Sequence, residues 1–180
     1  MPVGGFVARR VLRQRSVIGV MLPWSWASSR WLEVGVKFQT GTPGAATGIR
    51  FYKAAADTGI HIGNLWTASG QLLASATFTG ETASGWQRVS FARPGALNPN
   101  TTYIASYFAP SGHYSQDGAC FCTVPEIGAP ANSVDSPPLR ALPNTNGTLN
   151  GVFTHSSSPA FPASSVDASS YWVDAVFSPA

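Results

Sequence analysis

The sequence predicts an all-β fold: an antiparallel β-sandwich or jelly roll of about eight short strands. Three observations carry this. Charged residues make up only 11% of the 180 residues, against about a quarter in ordinary soluble domains. Gly, Pro, Ser, Thr and Asn fill the gap, a mix that suits short strands joined by turns. Several segments alternate apolar and polar residues with period two, and none carries a convincing helical period. A chain of this length is most simply one domain with a sizeable core.

The elements follow in order. In "WLEVGVKFQT", Leu32, Val34, Val36 and Phe38 share one face, and Glu33, Gly35, Lys37 and Gln39 the other. "TPGAATG" reads as a turn. "IRFYK" follows, with Ile49 and Phe51 inward and Arg50 and Tyr52 outward. "AAADTGIHIG" is a loop, "NLWT" a short strand, and Ala68-Ser69-Gly70 a turn into "QLLASATFTG". In "WQRVSFA", Val89 and Phe91 point inward. "RPGALNPNTT" reads as a polar crossover into "YIASYFA", strand-like by its aromatic and β-branched content. Ser111 to Asn150 is proline-rich and aperiodic, a long loop of the kind that carries function. "GVFTH" is a short strand, "SSSPAFPASSVDASS" a loop, and "YWVDAVF" the closing strand. Its alternation puts Tyr171, Val173, Ala175 and Phe177 on one face, with Trp172 and Asp174 on the other.

Charge is unevenly spread. Arg9, Arg10, Arg13, Arg15 and Arg30 lie in the first thirty residues, which hold no acid. The remainder carries six basic and eight acidic side chains, a net charge of −2. Such a body lacks the basic face that a nucleic-acid binder needs. We therefore divide the chain into a basic segment, 1–30, and a β-sandwich module, 31–180. An Arg-rich stretch, an apolar run from Val17 to Leu22 and small residues at Ala27 to Ser29 follow the order of an export signal. A disordered arm or a misassigned start is the alternative. The apolar run is too short to span a membrane. Cys120 and Cys122 stand two apart; they are either half of a metal site or two small semi-buried residues.

The quoted segments resemble a known family. "EVGVKF", "GIRFYK", "TGIHIGNLWTASGQLLASATFTGETASGWQ", "TTYIASYFAPSGHY", "PLRAL", "NGVF", "AFP" and "YWVDAVF" occur in order from about Glu33 to Pro179. They are similar to the bacterial family called domain of unknown function 4082. The resemblance implies a β-sandwich module within, or appended to, a large secreted protein, beside neighbouring domains. It implies no activity. The chain departs from the pattern at its basic, Trp-rich start and at "ACFCTVPEIG".

Catalytic signals are missing. The chain has no Gly-x-Ser-x-Gly, no His-Glu-x-x-His and no phosphate-cradling glycine loop. His61, His113 and His155 fall on separate loops or strand ends, and acids before Gly or Thr in turns usually cap their own backbone. The expectation is a module that is not an enzyme and carries no cofactor. The weak metal candidate is a structural calcium at Asp117 with loop carbonyls. Binding is the better reading. Sugars stack their C–H faces on Trp or Tyr beside polar groups that fix orientation. The candidates are Trp66, Tyr107, His113, Tyr114, Trp172 and Asp174, with Trp86 read instead as a corner plug. The expected function is a non-catalytic extracellular module that binds a polysaccharide, glycan or cell-surface polymer. The alternative is a structural spacer or adhesion module without a small ligand.

Overall fold

The computed structural model describes residues 31–118, 121, 133–145, 149–166 and 168–180, with the backbone of Val17–Ile18. The rest of the basic segment, and Cys120 and Cys122, lie outside the described residues. Strands are β1 (Val17–Ile18), β2 (Leu32–Thr40), β3 (Gly44–Lys53), β4 (Ile62–Thr67), β5 (Leu72–Thr77), β6 (Gly85–Leu97) and β7 (Tyr103–Ala109). They continue with β8 (Ser115–Gln116), β9 (Val134–Ser136), β10 (Leu139–Ala141), β11 (Val152–His155), β12 (Ser164–Ser165) and β13 (Val173–Pro179). No helix occurs among the described residues. None is therefore long and apolar enough to cross a membrane.

Two antiparallel sheets pack face to face. The larger runs β12-β11-β2-β7-β4-β5, with β10 added beside β2 and β9 beside β10; the smaller runs β13-β3-β6. The alternation read from sequence selects the core. Val34, Phe38, Ala105, Tyr107 and Leu65 from the larger sheet meet Ile49, Phe51, Phe91, Val173, Ala175 and Phe177 from the smaller one. All are buried. Phe51 anchors the middle, stacked on Tyr107 at 4.1 Å and edge-on to Phe78 at 4.9 Å. Burying side chains of this size supplies the bulk of the folding drive, about 1.5–3 kcal/mol each.

One edge of β2 serves two strands. Leu32 to Gly35 pair with β11, and Phe38 to Thr40 pair with β10. Between them the buried Asn150 side chain acts as a rung. Its Oδ1 accepts from Lys37 N at 2.8 Å, and its Nδ2 donates to Lys37 O at 3.0 Å. That is the structural use of the Asn in "NGVF". The next residue, Gly151, has φ +71° and presses on the Ser169 backbone, where a Cβ would collide.

Three readings from sequence are corrected here. "TPGAATG" is not all turn: β3 begins at Gly44. "RPGAL" is not a crossover: β6 runs on to Leu97. These two stretches pair with each other, Gly44 with Leu97 and Ala46 with Gly95, across an irregularity between Ala46 and Gly48. Gly, Ala and Pro there read as loop because they give no apolar alternation, yet their small size permits the close packing. The segment 111–150 likewise contains β8, β9 and β10.

β2 and β7 are also covered on their second face. All seven residues of β7 are buried. Phe161 closes over Trp66, Ile104 and Val152 on the outside of the larger sheet. Under that cover Glu33, fully buried, accepts from Ser106 Oγ at 2.5 Å and from Asn64 Nδ2 at 2.9 Å.

Candidate functional site

The outer face of β13-β3-β6 is the surface with concentrated chemistry. Antiparallel register sets two rows across it. In one, Asp174, Arg50 and Arg88 are direct neighbours. In the other, Trp172, Tyr52 and Trp86 are neighbours, since Tyr52 pairs with Trp86 and Tyr52 N donates to Trp172 O at 2.9 Å. The three rings form one cluster. Tyr52 lies 5.8 Å from Trp86 and 5.8 Å from Trp172, and the two tryptophans are 6.1 Å apart. Trp86 keeps 37% of its surface exposed, and Arg88 beside it is exposed.

Arg50 ties the rows together. Its Nε and Nη2 both donate to Asp174 Oδ2, at 2.9 and 2.8 Å, and its guanidinium lies 4.9 Å over the Trp86 ring. Asp174 is only 4% exposed. Burial pushes its carboxyl up to about 7, against the lowering pull of the Arg50 charge and hydrogen bond. Trp172 has φ +51°, a left-handed conformation that disfavours a side chain and costs about 1–3 kcal/mol. Its indole donates to Asp117, whose carboxyl is nonetheless raised by burial.

The family described as Domain of unknown function (DUF4082) matches residues 24–173. The chain belongs to the DUF4082 family. No curated protein and no solved structure matches it.

In this DUF4082 chain the candidates read from sequence are scattered. Trp172 and Asp174 share the face just described. Trp66 is 7% exposed on the larger sheet, where its indole donates to Ser106 Oγ at 2.8 Å under Phe161. Tyr107 is fully buried against Phe51, with no face left for a ligand. Tyr114 is half-buried and packs edge-on against Tyr171 at 5.6 Å. His113 is exposed on the loop after β7. Asp117 bridges Ser170 through the backbone beside Trp172. No three His, Cys, Asp or Glu side chains stand as a metal-binding group among the described residues.

Arg50, Tyr52, Trp86 and Arg88 complete this face beyond the candidates that the sequence offers. Trp86 is no corner plug: it lies in β6, facing outward. The signal was available in part. With Val89 and Phe91 inward, Trp86 and Arg88 alternate outward, as do Arg50 and Tyr52 on β3. What alternation cannot say is which strands are neighbours and in what register.

A second polar cluster runs from a buried His61 and Asp57 to a partly exposed Glu81 and Lys53. His61, with no exposed surface, sits between Asp57 Oδ1 at 2.8 Å and Glu81 Oε1 at 2.9 Å. Lys53 Nζ completes the chain at 2.8 Å from Glu81 Oε2. Burial opposes charge on His61, but hydrogen bonds and charges from Asp57 and Glu81 outweigh it and raise its pKa. An imidazole held at both nitrogens and closed to solvent is suited to holding the fold together.

Proposed function

We propose that this DUF4082 chain is a non-catalytic module of a secreted protein that binds carbohydrate on the outer face of β13-β3-β6. The observation that carries this is the cluster of Trp86, Tyr52 and Trp172, with rings within 6.1 Å of one another on a sheet face and an ion pair alongside. Aromatic faces take the apolar side of a sugar ring, and fixed polar groups orient its hydroxyls. The strained backbone at Trp172 supports the same reading, since such strain gathers where a side chain must be aimed. The sealed position of His61 supports a module without catalysis. Export is supported by the order of Arg-rich, apolar and small residues near the start of the chain.

The test is titration of the full chain with cello-, chito-, xylo- and galacturono-oligosaccharides. At least one should bind, and Trp86→Ala should abolish that binding while the chain keeps a cooperative thermal unfolding transition. If the folded chain binds none of them, the reading fails and a spacer or adhesion role takes its place.

A further inference from the structure

The charge row beside the aromatic cluster narrows the ligand. We propose that the glycan taken by this face is acidic, its carboxylate or sulfate groups held by Arg88 with Arg50 beside it while its rings lie on the aromatic cluster. This rests on the carbohydrate reading and adds the chemical class of the ligand.

Arg50 and Arg88 are direct cross-strand partners on an exposed sheet face. Like charges placed so are unfavourable to folding. One counter-charge is supplied within the row, and it stands on the wrong side to serve both. Asp174 lies on β13, beyond Arg50 from Arg88, and takes both the Nε and Nη2 of Arg50 on one oxygen. Arg88 is exposed and has no carboxylate partner among the described residues. The row therefore holds one positive charge in excess, on a guanidinium with its whole planar fork available. That fork matches a carboxylate or sulfate in two parallel hydrogen bonds. The other acid near the site, Asp117, is engaged by the Trp172 indole at the far end of the aromatic row.

The spacing also fits. Trp86 and Arg88 are two apart on one strand, so they point the same way about 7 Å apart. A sugar residue lying on the indole can turn an acidic substituent toward the guanidinium. Arg50, seated over Trp86 and paired with Asp174, holds that ring in place.

The experiment uses matched pairs titrated into the full chain: oligogalacturonate against its methyl ester, and heparin oligosaccharide against its desulfated, N-acetylated and carboxyl-reduced form. An acidic probe should bind about fivefold more tightly than its neutral partner, the upper end for one exposed ion pair. Arg88→Gln should bring the ratio of acidic to neutral affinity down to about one, and Arg88→Lys should retain part of it. If glycans bind but neither pair shows a preference, or Arg88→Gln keeps it, the acidic assignment is overturned and the carbohydrate reading stands. If no glycan binds, both fall. Equal binding of a single-stranded DNA oligonucleotide would overturn it too, by showing an undiscriminating polyanion face.

Discussion

His61 Nε2 stands 2.8 Å from Asp57 Oδ1, both side chains with no exposed surface. This pair, with Glu81 on the other ring nitrogen, makes stability depend on pH. The folded pKa of His61 is raised above its ordinary 6.5. Its contribution is then fully present below the unfolded pKa and is lost as pH rises through the folded one. Urea denaturation at pH 6 and pH 9 should show the domain weaker at the higher pH. His61→Ala should lower stability by about 3–5 kcal/mol, because it strands buried carboxylates, and should flatten that dependence.

Glu33 works in the same direction over a lower window. Burial pushes its carboxyl from 4.5 up to about 7, against hydrogen bonds from Ser106, Asn64 and the Ala160 backbone. A raised acid pKa gives stability that is present below the unfolded value and lost as pH climbs toward the folded one. The shift corresponds to a loss on the order of 3 kcal/mol between pH 4 and pH 8. Glu33→Gln keeps an acceptor for Ser106 and Asn64 without the charge. It should match or exceed the wild type at pH 8, with a smaller change between pH 5 and pH 8. A variant much weaker than wild type at pH 8 would refute this account of Glu33.

Phe177 and Trp172 lie on opposite faces of the closing segment. Phe177 is 4% exposed in the core, whereas Trp172 is half-buried on the outer face. Phe177→Ala should destabilise by about 3–5 kcal/mol. Trp172→Ala should lower the melting temperature less while weakening glycan binding more. Equal unfolding by both would make Trp172 a packing residue.

Asp174 should tune how strongly this face takes an acidic glycan. It takes up a proton near pH 7, which removes the counter-charge of Arg50, with Arg88 beyond it and Asp117 near Trp172 as the other charged groups on this side. Affinity for oligogalacturonate should therefore rise about threefold from pH 8 to pH 6, the scale of one exposed charge pair. Asp174→Asn should bind tightly throughout with a flat profile. A wild-type affinity that falls toward pH 6 would count against the role given to Asp174.

Fold class and the inner face of most strands are legible in the residues alone. Leu32 to Phe38, Ile49 and Phe51, and Tyr171 to Phe177 declare their buried side through alternation, because a pleated strand turns successive side chains to opposite faces. The residues also place Trp172 and Asp174 together, since their spacing is local. The rest depends on packing between distant segments. Glu33 and Trp66 look solvent-facing in a strand pattern, yet Phe161, nearly a hundred residues on from Trp66, buries the latter. Tyr107 looks as eligible as Trp172 until Phe51 is seen stacked on it. The site itself needs β13, β3 and β6 side by side in one register, which brings Asp174, Arg50 and Arg88 into line from far-apart stretches of chain. Alternation is a property of one strand, whereas adjacency and register are set by how whole sheets bury their apolar faces against each other.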